Sequence, residues 1–194
     1  MPDRGAGQRA SAPAAQSLHA GVGAWKEKLA ERKQHLRQEF QARKAPMEFL
    51  RRHSAAIDRQ LKEVWAGQEM PRDAALAAVG GYGRGQLFPS SDVDLLILLS
   101  APPDTGLVRK LENLVGILWD IGLDVGHSVR TVEEYATLAA TDLSVQTTLL
   151  EARLLTGKRE FFARFVKRMR ETLNPGEFLQ AKFLEQQQRH ARYA

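Results

Sequence analysis

Gly80-Gly81-Tyr82-Gly83-Arg84-Gly85-Gln86-Leu87-Phe88-Pro89-Ser90-Ser91-Asp92-Val93-Asp94-Leu95, running on into Leu96-Ile97-Leu98-Leu99, decides how this chain reads. A glycine pair closes a short apolar stretch, and ten residues later two carboxylates alternate with apolar residues at the start of a strand. Side chains repeat every two residues along a strand, so Asp92 and Asp94 share a face. Two carboxylates that close repel each other, which a cleft tolerates when a cation sits between them. Oxygen ligands of this kind suit Mg²⁺, which typically takes one or two carboxylates plus substrate phosphates. The glycines upstream let backbone N–H groups approach a phosphate unobstructed.

Working outward, Ala74 to Val79 reads as a short strand ahead of the glycines, and Val93 to Leu99 as a strand buried on both faces. Pro102-Pro103-Asp104 makes a turn, with Asp104 or Thr105 as the cap of a helix striped by Leu107, Leu111, Leu114, Val115, Leu118 and Trp119. Leu123 to Arg130 reads as a third strand, with Leu123, Val125, His127 and Val129 on an apolar face. Asp124, Gly126, Ser128 and Arg130 line the other, polar face, with small residues beside the acid. On this parity His127 and Trp119 are core residues. Thr131 to Glu134 is a capping box. A helix is expected from Thr141 through Leu154, stopped by Gly157, then a basic amphipathic helix over 158–173 and a last helix that runs off the end. A chain stopping inside a helix reads as truncated.

Ahead of this core, Leu29, Leu36, Phe40, Met47, Leu50, Ile57, Leu61 and Val64 recur at helical spacing, with Pro46 as a break. Residues 1–22, rich in Ala, Gly and Ser, read as a flexible leader. The expected divisions are a disordered leader at 1–22, a helical region at 23–72, a catalytic core at 73–140 and a helical extension at 141–194.

Bulk composition narrows the partners. The chain has no cysteine, which excludes disulfides and thiolate metal sites and suits the cytoplasm. No apolar run is long enough to span a membrane. The net charge of +5 lies in the N-terminal third: residues 1–72 carry 14 Lys/Arg against 8 Asp/Glu, while 73–194 carry 14 against 15. In KEKLAERKQHLRQEFQARK these charges alternate with Glu at helical spacing, without aromatics spaced for base stacking. A solvated helix face is therefore expected, with no nucleic-acid partner.

Each chemical signal has a bland counterpart. A glycine pair alone is a turn, and an Asp-x-Asp alone is a surface strand end. Their combination, followed about thirty residues later by Leu123-Asp124-Val125, is far more specific. Three carboxylates from neighbouring strands suit two cations that clamp the attacking and leaving oxygens of an in-line displacement. The pattern points to nucleotidyl transfer.

These motifs match the DNA polymerase β-type nucleotidyltransferase superfamily. Within it GGYGRGQLFPSSDVDLLIL, LWDIGLDVGHSVRT and DLSVQTTLLEARLLTG closely resemble the bacterial PII uridylyltransferase/uridylyl-removing enzymes, from roughly residue 25 to 194. The resemblance implies an α/β (α+β) fold: the small mixed sheet of the polymerase β-type core with flanking helices, between an N-terminal helical region and a C-terminal helical extension. It implies transfer of UMP from UTP to a tyrosine of the PII protein, with release of pyrophosphate. Gly80 and Gly81 would cradle the triphosphate, and Asp92 and Asp94, with Asp124 as third carboxylate, would bind Mg²⁺. Arg84 would meet a phosphate or form a structural ion pair, and Ser91 would bond the triphosphate or cap the turn into Asp92. Asp124 has its own alternative, a salt bridge to Arg130. The hydrolase and glutamine-sensing domains of the family are not read in these residues, so uridylyl removal is not expected of this chain alone. Two other readings stand beside the enzyme: a nucleotide-binding regulatory module with little turnover, and a transferase with another acceptor.

Overall fold

The computed structural model describes residues 12–43 and 45–193. Two helices, α1 (Ala12–Arg43) and α2 (Pro46–Gly67), lead into strand β1 (Ala74–Ala78) and a four-residue helical turn α3 (Gly80–Gly83). Strand β2 (Val93–Leu99), helix α4 (Thr105–Asp120), strand β3 (Val125–Thr131) and helices α5 (Val132–Ala139) and α6 (Leu143–Leu150) follow. Strand β4 (Arg153–Gly157) and helices α7 (Arg159–Thr172) and α8 (Pro175–Tyr193) complete the chain. The sheet runs β3-β2-β1-β4, with β2 and β3 parallel and β1 antiparallel to both β2 and β4. This is the mixed α/β architecture expected.

The central strands are buried on both faces, so neither alternates in polarity. Leu76, Leu95, Ile97 and Leu99 pack with Ile57, Leu61 and Val64 of α2 and Leu114 and Leu118 of α4. Ala75, Ala77, Leu96 and Leu98 face Tyr135, Ala139, Phe161 and Phe165 on α5 and α7. Ala-rich β1 would favour a helix in isolation; pairing on both edges and burial on both faces override that preference. Within β2 the exposed position is Asp94.

Local signals held at several ends. Pro46 begins α2. The Asp104 carboxylate accepts from the Leu107 N–H at 2.7 Å, and Thr131 and Glu134 form the reciprocal capping box. Three basic residues of the N-terminal helices pair with acids across α1–α2: Lys28 and Arg32 with Glu63, at 3.5 and 3.2 Å, and Arg52 with Glu39 at 2.7 Å.

Four expectations are corrected. Residues 12–22 belong to α1, because alanine propagates a helix already nucleated downstream; the rest of the expected leader, 1–11, lies outside the described residues. The helix expected to run to Gly157 ends at Leu150, and Arg153–Gly157 is β4, so the sheet takes its fourth strand from the region assigned to the helical extension. Helical and strand periods are hard to separate in so short an apolar run. The third strand starts at Val125, two residues later than expected, and extends to Thr131. Finally, His127 is exposed and Trp119 is 56 % exposed. β3 is an edge strand, and these two rings pack edge-on against each other at its rim, centroids 6.3 Å apart.

Candidate active site

The site forms where β1 ends and β2 and β3 begin. β1 and β2 are antiparallel, which brings the Val79–Gly80 junction back to the start of β2, where the Val79 N–H donates to the Asp94 carbonyl at 3.1 Å. Gly80 has φ +57°, a left-handed conformation that glycine adopts without strain. A β-carbon at Gly80 would stand 3.2 Å from Asp94 Oδ2. On the other side, β3 places Gly126 in register with Asp94, and a β-carbon there would stand 2.7 Å from Asp94 Oδ1. The Asp94 carboxylate thus lies between two residues that have no side chain.

Electrostatics agree with that geometry. Although Asp94 as a residue is exposed, its carboxyl is partly desolvated, and this, with the Asp92 charge beside it, raises its pKa above the ordinary carboxylate range. The folded chain therefore holds an uncompensated pair of acids, a donor set that fits a hard divalent cation.

Asp124 directly precedes the β2–β3 register, and its carbonyl accepts from the Val93 N–H at 2.7 Å. It sits at the same end of the sheet as Asp92 and lines a cleft of about 230 Å³ with Ser91, His53 and Lys33. Among the described residues no group of three or more acidic or imidazole side chains is placed to hold a metal, so the expected three-carboxylate cluster is not assembled. The alternative salt bridge is absent too: the Arg130 guanidinium donates to the Val129 carbonyl at 2.9 Å. Ser91 is exposed; its N–H closes a turn onto the Phe88 carbonyl at 3.1 Å, and its hydroxyl caps nothing among the described residues. Arg84 pairs with Glu151, the structural alternative for that residue. A β-carbon at Gly81 would be in ordinary contact with the end of the Arg84 side chain, 3.6 Å from its guanidinium.

Sequence reasoning missed the residues that hold the glycine turn. A β-carbon at Gly83 would lie 1.9 Å from the Glu151 carbonyl oxygen, so only glycine permits the approach of the α6–β4 connection. Tyr82 is 1 % exposed and donates its hydroxyl proton to Asp58 at 2.6 Å. Arg153 forms a forked pair with Asp58 at 2.6 and 3.1 Å. A tyrosine set between glycines was the available signal, since a large ring in a small-residue turn needs somewhere to be buried. Its partners lie 24 and 71 residues away and carried no local mark.

Residues 57–155, just over half of the chain, match the nucleotidyltransferase domain family, and the chain belongs to that family. It is a nucleotidyltransferase-domain chain, and its glycine turn lies against the acidic start of β2. More particularly, it is similar to proteins named bifunctional uridylyltransferase/uridylyl-removing enzyme. That of Cupriavidus pinatubonensis is 55 % identical over 71 % of this chain and 16 % of its own length. Those of Chromobacterium violaceum (47 % identical, 87 % of this chain, 20 % of its own) and Aromatoleum aromaticum (42 %, 95 % and 21 %) are similar as well. The chain spans about a fifth of the length of these relatives. A solved toxin–antitoxin structure with AMP-PNP is a distant likeness, with TM-score 0.43 and 16 % identity over 71 % of this chain and 98 % of that one. Among the described residues no helix is long and apolar enough to cross a membrane.

Proposed function

We propose that this chain is the nucleotidyl-transfer unit of a uridylyltransferase, moving UMP from UTP to a tyrosine hydroxyl of the PII signalling protein in the cytoplasm. The observation that carries the reading is the Asp94 carboxylate, beside Asp92 and between Gly80 and Gly126. Glycine on both sides lets turn and strand backbone close directly on this carboxylate, and a second acid stands beside it.

In this reading Asp92 and Asp94 would hold Mg²⁺, which when bound would neutralise charge on the phosphoryl oxygens. The backbone at Gly80 and Gly81 receives the triphosphate, and Asp124 supports the attacking phenol at the neighbouring strand start. The tyrosine oxygen gives up its proton to water and bonds to the α-phosphorus, the bond from that phosphorus to the bridging oxygen breaks, and pyrophosphate leaves. Orientation supplies much of the rate, since the phenol must lie in line with the departing pyrophosphate. The uridine preference and the PII acceptor rest on the similarity to the named relatives.

The test is to incubate the chain with purified PII, Mg²⁺ and each of the four α-labelled ribonucleoside triphosphates. Label on PII from UTP alone is the expected result. Label from another nucleotide, or on a different acceptor, would overturn the assignment. Tight UTP binding without any transfer would make the chain a regulatory module.

A further inference from the structure

We propose that Arg153, oriented by Asp58, is a positioning residue that sets the Gly80–Gly83 turn against Asp94 and so fixes where the turn's backbone meets a nucleotide's phosphates. The proposal rests on the nucleotidyl-transfer reading above and adds residues that the acidic motif does not contain.

The Arg153 guanidinium is engaged in three directions. Two nitrogens grip Asp58 of α2, as above; Nε donates to the Gly83 carbonyl at 3.2 Å, and Nη2 also reaches the Tyr82 carbonyl at 3.3 Å. α3 is only one turn long; the Tyr82 carbonyl already accepts the Gly85 N–H at 2.9 Å, and the guanidinium adds a donor to it and to the Gly83 carbonyl that ends the turn. The same group lies over the Tyr82 ring, 5.5 Å from its centroid. The Tyr82 hydroxyl closes the circuit onto Asp58. Burial, with the Asp58 charge next, pushes the phenol pKa far up, so the hydroxyl remains a donor at any working pH.

The turn is gripped elsewhere too. The Glu151 main chain packs against Gly83, and the Glu151 carboxylate pairs with Arg84. The Val79 N–H ties the entry of the turn to β2 at Asp94. On the Gly80–Gly81 side the turn faces only side-chain ends: a β-carbon would stand 3.2 Å from Asp94 Oδ2 at Gly80 and 3.6 Å from the Arg84 guanidinium at Gly81. Partly buried ion pairs add little net stability compared with apolar packing, but a forked guanidinium–carboxylate pair fixes direction sharply. The arrangement suits placement better than stability.

The experiment uses the full 194-residue chain and its Arg153→Met and Asp58→Asn variants. Hydrogen exchange over peptides covering 80–86 and calorimetric UTP binding are measured on the same preparations. The expected result is faster exchange at 80–86 with β2 still protected. UTP affinity should fall about ten-fold or more, which is about 1.4 kcal/mol of binding free energy. Unchanged exchange in the turn overturns the proposal, as does faster exchange with unchanged UTP affinity. If both variants fail to fold, Tyr82→Phe, which removes only the hydroxyl bonded to Asp58, carries the same test on the same criteria. A parent chain that binds no UTP overturns the transfer reading and this inference together. A parent that binds UTP as well as its variants do overturns the inference alone.

Discussion

Gly126 lies in register beside Asp94 on the neighbouring parallel strand, close enough that a β-carbon at residue 126 would stand 2.7 Å from an Asp94 carboxylate oxygen. That atom is the end of a short flexible side chain, so a methyl group there displaces the carboxylate before it strains the backbone. Gly126→Ala is therefore expected to fold with a melting temperature near that of the parent while nucleotidyl transfer falls by about 10- to 100-fold. Thermal unfolding and a transfer assay on one preparation check this; a folded Gly126→Ala with full activity would show that the Asp94 position is not critical.

Asp94→Asn removes one charge from an uncompensated, partly desolvated pair. Without divalent cation its melting temperature at neutral pH should equal or exceed that of the parent, and transfer should be abolished. Asp92→Asn should behave alike. Asp124→Asn, at the start of the neighbouring strand, should lower turnover by about 10²-fold, the scale for losing one charge-stabilising group, with UTP affinity largely kept. Near-normal transfer by either Asp92→Asn or Asp94→Asn would refute the paired-carboxylate site.

The three glycines of the turn separate by what a side chain would meet. At Gly81→Val the β-carbon meets the end of the flexible Arg84 side chain at ordinary contact distance, so the variant should fold and lose UTP affinity, because a branched side chain obstructs the backbone that receives the phosphates. Gly83→Ala drives a methyl group into the Glu151 carbonyl and should cost about 3 kcal/mol of stability. Gly80→Ala has to hold φ +57° and should cost about 1–2 kcal/mol. Denaturant titrations give the stability order; a Gly83→Ala as stable as Gly81→Val would contradict the close approach of the α6–β4 connection.

His53 gives a pH dependence. It is 3 % exposed, stacks on Phe49 with ring centroids 6.0 Å apart, and has its pKa lowered by burial first and then by the Lys33 charge. A histidine whose folded pKa is depressed favours the native state while neutral, and that contribution is lost as pH falls from about 6.5 through the folded pKa. The parent should therefore lose more stability than His53→Gln on acidification from about pH 7.5 to pH 5. Parallel slopes for the two proteins over that range would show that His53 does not titrate against the fold.

The sequence by itself determined the two neighbouring acids at the head of β2, the glycine turn before them and the doubly buried strand behind them. All of these are local: period-two alternation, glycine conformation and apolar run length act within a few residues. The helix caps at Asp104 and Thr131 were legible for the same reason. Tertiary structure decided what lies beside Asp94. Gly126 became its neighbour through the β2–β3 register, and Arg153 reached Asp58 and Tyr82 because β4 pairs with β1. β4 escaped the sequence because five residues of Arg-Leu-Leu-Thr-Gly fit a helix end as well as a strand until an open sheet edge is offered. Trp119 and His127 carried the parity of core residues yet lie at the rim, since periodicity tells which side of a strand a residue occupies and not whether anything covers it. Pairing across 24 to 95 residues is settled by three-dimensional packing, and no local propensity encodes it.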